Sequence, residues 1–266
     1  MIPAAVITGW AQAHPWSSSA QVEQDLVLSR ALVEIYQDPL LADALVFRGG
    51  TALHKLLLAP AARYSEDLDF VQRESAPIGA VLDQLKQRLN PWLGEPRRKV
   101  SPRGSTLVYR FSSELPPVVQ LRLKIEINTR EHFQLHPLQA LPFAVDTRWY
   151  QGEATISTYA PEELLGTKIR ALYQRRKGRD LFDLWHSYKL GVLDPAKTVP
   201  VFLRYMEAEQ HPASGKIFAE NLQSKLNHPA FLSDTPPLLR PGISYHPQEA
   251  AHFFTEHLLP LMPTSS

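Results

Sequence analysis

A chain of 266 residues, 44% apolar and 21% charged, has the composition of an ordinary globular protein and suffices for one large domain or two small ones. Its net charge of +1 creates no global basic field, so any nucleic-acid affinity must come from local patches. The lack of cysteine excludes a disulfide scaffold, a thiolate zinc site and a cysteine nucleophile, and fits a reducing cytoplasm.

Met1 to Trp16 has no basic n-region, and Thr8, Gly9 and Gln12 break its apolar run, so it reads as neither signal peptide nor membrane span. No later apolar run approaches about 18 residues. Ser18 and Gln21 form a capping box for a helix over Ser19 to Gln37, with Val22, Leu26, Val33 and Tyr36 on one buried face. Leu45-Val46-Phe47 reads as a buried strand feeding a tight turn at Gly49-Gly50. Thr51 to Leu58 follows as a helix that Pro60 terminates. Arg63 to Val71 is the next strand, Pro77 to Leu89 a helix with Val81, Leu82, Leu85 and Leu89 on one side, and Leu107 to Phe111 a strand. Leu121 to Asn128 alternates cleanly, with Leu121, Leu123, Ile125 and Ile127 facing one way and Arg122, Lys124, Glu126 and Asn128 the other. From about Tyr159 the chain reads as helical; Pro161, Glu162 and Glu163 suit a first turn. Many of the 23 prolines lie from Pro195 onward, which predicts short helices joined by rigid turns. Pro263 to Ser266 are expected to be disordered.

Chemistry concentrates in residues 47–70. Asp67 and Asp69 stand at i and i+2 of a strand, so both point to one face, roughly 6.5–7 Å apart at the Cα atoms. Carboxylates so placed converge on a divalent cation such as Mg²⁺, which takes oxygen ligands together with substrate phosphates. A lone Asp-x-Asp is more often a solvated strand face. Here the pair lies between Leu68 and Phe70, soon after a glycine turn, and a cation relieves the repulsion between its charges. Gly49-Gly50-Thr51 has neither P-loop nor dinucleotide spacing, yet it offers close backbone approach, a helix N-terminus and a hydroxyl to phosphate oxygens. Glu126 is a candidate third carboxylate; a salt bridge with Lys124 or another basic neighbour explains it equally well.

The stretch from Lys168 to Trp185 holds the densest basic cluster: Arg170, Arg175, Arg176, Lys177 and Arg179. On a helix Lys168, Leu172 and Arg175 share a face, as do Asp180, Asp183 and Leu184 after an interruption near Gly178. The cluster suits a triphosphate or an RNA backbone. The alternative is a solvated helix end in which Asp180 and Asp183 pair Arg176 and Arg179. Arg97, Arg98, Lys99 and Arg103 form a looser basic stretch with no chemistry of its own. His132 and His136 have metal-ligand spacing, but Phe133 replaces the glutamate of His-Glu-x-x-His and Pro137 disfavours a helix, so two loop histidines are expected. Gly-x-Ser-x-Gly is absent.

Four segments in this order, Phe47-Arg-Gly-Gly-Thr-Ala-Leu53, Arg63-Tyr-Ser-Glu-Asp-Leu-Asp-Phe70, Lys124-Ile-Glu-Ile127, and Lys168 with Arg175, Arg179, Asp180 and Asp183, resemble the nucleotidyltransferase AbiEii/AbiGii toxin family, a branch of the DNA polymerase β-like superfamily. Val22-Glu-Gln-Asp-Leu-Val-Leu28 resembles an early family helix in which Glu-Lys-Asp is usual; Gln24 departs from it. The resemblance implies an α+β (mixed α/β) fold: a mixed-sheet nucleotidyltransferase lobe over 1–155, a helical lobe over 156–266, and a cleft between them. It implies Mg²⁺- or Mn²⁺-dependent transfer of NMP from an NTP to an acceptor, the tRNA 3′ end or another RNA, by a cytoplasmic, non-membrane toxin paired with a cognate antitoxin. Ser65 and Asp67 match the Ser-x-Asp signature, with Asp69 beside them as metal ligand and Glu126 as a third. Lys168 matches the catalytic lysine, and Asp183 or Asp180 the late aspartate. Arg48, Gly49, Gly50, Thr51, Ser65, Arg175 and Arg179 are the expected substrate-binding residues.

Two other classes compete. A metal-dependent nuclease needs the same carboxylates and a lysine, but its strand pattern is Glu-x-Lys, whereas this one runs Lys124-Ile-Glu126. A non-catalytic nucleotide- or RNA-binding module would retain the motifs without turnover.

Overall fold

The computed structural model describes residues 2–264 and divides the chain, between Tyr159 and Ala160, into two compact units. The first unit runs α1 (Ala4–Ala13), α2 (Ser19–Tyr36), α3 (Pro39–Ala44), β1 (Leu45–Arg48), α4 (Gly49–Ala52), β2 (Asp67–Gln72), α5 (Gly79–Leu93), β3 (Arg97–Ser101), β4 (Gly104–Ser112), β5 (Gln120–Asn128), β6 (Gln139–Asp146) and β7 (Gln151–Thr158). The strands form one mixed sheet in the order β3-β4-β5-β2-β1-β7-β6. The β2/β5 and β1/β7 pairs are parallel and the other four antiparallel.

Helix α2 begins where Ser18 Oγ accepts from Gln21 N at 3.2 Å. It is buried on nearly every side from Val22 to Tyr36, rather than along the single face its periodicity suggests, because it packs on the inner face of the sheet beneath other helices. Burial alternates along β5 as its pattern requires: Leu121, Leu123, Ile125 and Ile127 face inward and join Phe47, Phe70, Leu107 and Tyr109 in the core. The glycine turn enters a helix two residues earlier than expected. Gly49 and Gly50 are themselves in α4, and residues Leu53–Leu57 widen into a π-helical turn. The second strand starts at Asp67 rather than Arg63, since its ladder with β5 begins at Asp67 and that with β1 at Asp69.

The second unit is helical: α6 (Pro161–Gln174), α7 (Gly178–Lys189), α8 (Pro195–Ala208), α9 (Gly215–Leu226), α10 (Pro229–Leu232) and α11 (Pro247–His257). Pro161, Pro195, Pro229 and Pro247 each open a helix, where a missing N–H costs nothing. The C-terminus of α6 is capped from α9: the Lys225 ammonium donates to the carbonyls of Leu172 and, at 2.8 Å, Tyr173. Pro263 is tied down, its carbonyl accepting from Gly215 N at 2.8 Å; of the tail expected to be disordered, Ser265 and Ser266 lie outside the described residues. Among the described residues no helix is long and apolar enough to cross a membrane.

Candidate active site

The carboxylates of the first unit are placed by strand register. Arg48 on β1, Asp69 on β2 and Glu126 on β5 lie in one cross-strand row, with Asp67 and Lys124 in the neighbouring row. Residues paired across strands share a face, so all five stand on the polar side of the sheet, opposite the core. Gly49, at the mouth of the turn and with φ +81°, packs against Asp69: a Cβ there would lie 2.3 Å from Asp69 Oδ2. Thr51 Oγ1 donates to the Asp67 carbonyl at 2.5 Å and is hydrogen-bonded to the Ser65 hydroxyl at 2.8 Å, which fastens the start of the helix to the approach of β2. The turn, Ser65 and both aspartates are thus one construction. Arg48 is turned aside, its Nη1 2.9 Å from Glu131 Oε2.

Lys124 sits between two acids. Its ammonium is hydrogen-bonded to Glu126 and lies 3.7 Å from Asp67 Oδ2. Burial opposes the charge, but the bond to Glu126 and the nearby Asp67 hold Lys124 above the usual lysine value. Asp67 fares otherwise: burial and the Asp69 carboxylate push it up to about 7, because the shared lysine is too distant to compensate. Asp67 Oδ1 is buried without a hydrogen-bond partner among the described residues. An unmatched buried oxygen beside a second carboxylate is what a divalent cation would satisfy, so Asp67 and Asp69 fit such an ion. Among the described residues no three His, Cys, Asp or Glu side chains are gathered closely enough to form a ligand cage; further ligands would be phosphate oxygens or water.

In the second unit the α6–α7 break falls at residues 175–177, as Gly178 suggested; a Cβ on Gly178 would lie 2.2 Å from the Phe231 carbonyl. Lys168 Nζ reaches across the break to Asp180 Oδ1 at 3.2 Å and Asp183 Oδ2 at 3.0 Å, and all three side chains are buried. Arg175 clamps Asp180 through two bonds of 2.7 and 2.8 Å. Burial pushes Asp180 up, yet the Lys168 and Arg175 cations hold its carboxyl below the ordinary value. The expected alternative, pairing of these aspartates with Arg176 and Arg179, is not what forms. Arg179 and Lys177 instead approach Asp234, at 3.9 and 3.5 Å, and Arg170 binds Glu209 at 3.0 Å. Four of the five residues of the basic cluster, Arg170, Arg175, Lys177 and Arg179, are therefore split among three acidic partners.

The family model described as the nucleotidyl transferase AbiEii toxin of type IV toxin–antitoxin systems matches residues 30–254. The chain belongs to this family. It is a nucleotidyltransferase and a toxin of that type, and membership implies an NTP substrate and a cognate antitoxin; enzymes of this kind generally use divalent metal ions. No curated protein gives a significant match. Among solved structures, MenT4, a nucleotidyltransferase toxin of Mycobacterium tuberculosis H37Rv, aligns with TM-score 0.70 at 19% identity over 98% of this chain and 90% of its own, a likeness of fold. An antigenic nucleotidyltransferase-like protein of Paracoccidioides brasiliensis aligns at TM-score 0.41 and 17% identity, over 79% of this chain and 93% of its own.

In this toxin the sequence-predicted residues fall into two groups, each assembled within its own unit: Gly49, Gly50, Thr51, Ser65, Asp67, Asp69 and Glu126 in the first, and Lys168, Arg175, Asp180 and Asp183 in the second. Arg48 and Arg179 stand apart on other acids. His132 and His136 lie in the loop after β5, with His132 Nδ1 3.0 Å from the Gln72 carbonyl. Sequence reasoning passed over Arg63, buried against the turn so closely that a Cβ on Gly50 would lie 2.5 Å from its Nη2. It also passed over the buried Asp25–Lys55 pair, at 2.8 Å, which anchors the turn's helix to α2. The polar Asp25 and Lys55 in apolar surroundings were the available signal.

Proposed function

We propose that this nucleotidyltransferase toxin moves a nucleoside monophosphate from an NTP to the 3′ end of an RNA, with tRNA as the acceptor. The observation that carries the reading is the joint construction of Asp67, Asp69, Ser65, Thr51 and the Gly49-Gly50 turn, in which Asp67 Oδ1 is a buried, unmatched carboxylate oxygen and the neighbouring Asp69 carboxylate packs directly on Gly49. Asp67 and Asp69 would hold Mg²⁺, with Glu126 a third carboxylate on the same face. Bound there, such an ion neutralises phosphate charge and lowers the pKa of a coordinated hydroxyl. The amides of Gly49 and Gly50 and the hydroxyls of Thr51 and Ser65 orient the triphosphate. The acceptor 3′-hydroxyl oxygen forms a bond to the α-phosphorus as the bond from that phosphorus to the bridging oxygen breaks; pyrophosphate leaves and the hydroxyl proton passes to solvent. Lys124 lies beside Asp67 and Glu126, where its ammonium balances their charge. Lys168 and Arg175 form the cationic half of the second unit's polar centre and are proposed to offset phosphate charge, with Asp180 and Asp183 fixing their positions.

The test incubates the protein with Mg²⁺, each α-labelled NTP and total tRNA, beside Asp67→Asn. Label should enter RNA with at least one NTP and fall by two or more orders of magnitude in the variant, as for loss of a group that positions reactants. Equal labelling by Asp67→Asn, or Mg²⁺-dependent shortening of RNA in place of labelling, would overturn the reading.

A further inference from the structure

The basic residues at the edge of the sheet share a face with the carboxylates. β3 pairs β4 with Arg97 opposite Val108 and Lys99 opposite Thr106. β4 in turn pairs β5 with Val108 opposite Lys124, Thr106 opposite Glu126 and Arg110 opposite Arg122. The rows therefore run unbroken from Asp67 through Lys124 and Val108 to Arg97, and from Asp69 through Glu126 and Thr106 to Lys99. Cross-strand partners share a face, and three strand spacings of 4.7–4.9 Å put β3 about 14 Å from β2. Burial agrees: Leu107, Tyr109, Leu123 and Ile125 face the core, while Arg97, Lys99, Arg110 and Arg122 are exposed.

Two features suit this strip to a polyanion. Arg97, Lys99 and Arg110 have no ion-pair partner among the described residues. Arg110 also stands directly across from Arg122, a like-charge pairing that costs stability unless an anion lies over it; Arg122 is relieved in part by Glu66 at 3.4 Å. Edge lysines and arginines also guard sheets against edge-to-edge pairing. That role does not call for charge on β4 and β5, inside the sheet. No aromatic side chain stands on this face of the three strands to stack a base, so the strip is fitted to phosphates rather than to sequence.

We propose that this face, from Lys124 and Arg122 across Arg110 to Arg97 and Lys99, seats the phosphodiester backbone of the single-stranded end of the acceptor RNA. That the strand's 3′ end lies at Asp67 and Asp69 rests on the function proposed above; binding along the strip does not.

The test is fluorescence anisotropy with a fluorescein-labelled single-stranded RNA 12-mer, without NTP, from 50 to 200 mM KCl. The triple variant Arg97→Ala/Lys99→Ala/Arg110→Ala should bind more weakly. Its slope of log affinity against log salt should be shallower by about 2, from roughly 0.7 per lost phosphate contact. Arg98→Ala, on the same strand but the opposite face, should keep the wild-type slope. Should the triple variant be poorly folded by thermal melt, Lys99→Ala alone should lower the slope by about 0.7. In steady state the triple should raise KM for RNA and leave KM for NTP unchanged. Failure of the wild type to bind at 50 mM KCl, or an unchanged slope in a folded triple variant, overturns the proposal. So does loss of antitoxin binding or gain of aggregation with RNA affinity intact, which would assign the strip to a protein partner or to edge protection. Because no turnover is read in the anisotropy, absence of nucleotide transfer would sink the catalytic reading and leave this one standing.

Discussion

Replacing Lys168 by methionine separates two roles that an activity assay alone would confuse. The ammonium lies 3.2 Å from Asp180 and 3.0 Å from Asp183, and both carboxylates are fully buried. Methionine keeps much of the stem's volume and removes the charge. Asp180 retains Arg175, bound at 2.7 and 2.8 Å, so the loss falls on Asp183. Removing one partner from a buried ion pair costs about 3–5 kcal/mol, a large share of the roughly 5–15 kcal/mol that keeps a domain folded. At about 4 °C per kcal/mol for a unit of this size, the second unit's melting temperature should fall by roughly 12–20 °C in scanning calorimetry. Lys168→Met/Asp183→Asn, which also removes the carboxylate charge that faced the ammonium, should recover most of that drop. A Lys168→Met variant melting within about 2 °C of wild type would refute the reasoning, since Asp183 would then be neutralised by another route. Nucleotide transfer by Lys168→Met should be compared at a temperature where both proteins are folded; only the loss that remains there belongs to chemistry.

Gly49→Ala places a Cβ 2.3 Å from Asp69 Oδ2 at a φ of +81°, which costs about 1–2 kcal/mol in backbone strain and displaces a carboxylate. RNA labelling should fall on the order of 100-fold while far-UV circular dichroism is retained, and wild-type labelling would show that the close approach is unimportant. The polar centre of the second unit should also set its acid tolerance. Lys168 and Arg175 hold Asp180 below its unfolded value of 3.8, so its contribution is fully present above that pH and is lost as pH falls through the lower folded value. Arg175→Ala should raise the pH of acid unfolding measured by tryptophan fluorescence; an unchanged midpoint would show that Arg175 does not stabilise the charged carboxylate.

The elements legible in the sequence were those whose pattern and environment agree. β5 has one wet and one dry face, so strict alternation from Leu121 to Ile127 marks it. In the second unit α6, α8, α10 and α11 each open at a proline, which punctuates them before any periodicity is sought. The second-unit centre was half legible: helical spacing put Lys168 with Arg175 and Asp180 with Asp183, but not the two faces against each other. Strands β6 and β7 escaped notice because they are mostly exposed or half-buried and Pro142 interrupts β6, leaving little hydrophobic signal. Helix α2 misled in the opposite sense, since a helix buried all round carries more apolar residues than one periodic face reveals.

What no reading of single segments supplies is register. Glu126 reads equally as a metal ligand or as a partner of Lys124, and the parallel pairing of β2 with β5 makes it a neighbour of both: Asp69 stands directly across, and Lys124 holds its carboxylate. The same holds for the basic stretch at residues 97–103, which had no chemistry of its own in isolation. Once β3 is the third strand out from Asp67 and Asp69, Arg97 and Lys99 face the same solvent as the two aspartates while Arg98 faces away. A net charge of +1 hides this arrangement, because acids elsewhere cancel the total without cancelling the local field. The sheet thus brings Asp67 and Asp69 onto one surface with Arg97 and Lys99, about thirty residues further along the chain, with opposite signs at its two ends. That ordering suits a strand of phosphates whose reacting end must meet a metal-binding carboxylate and whose remaining length must be held by positive charge.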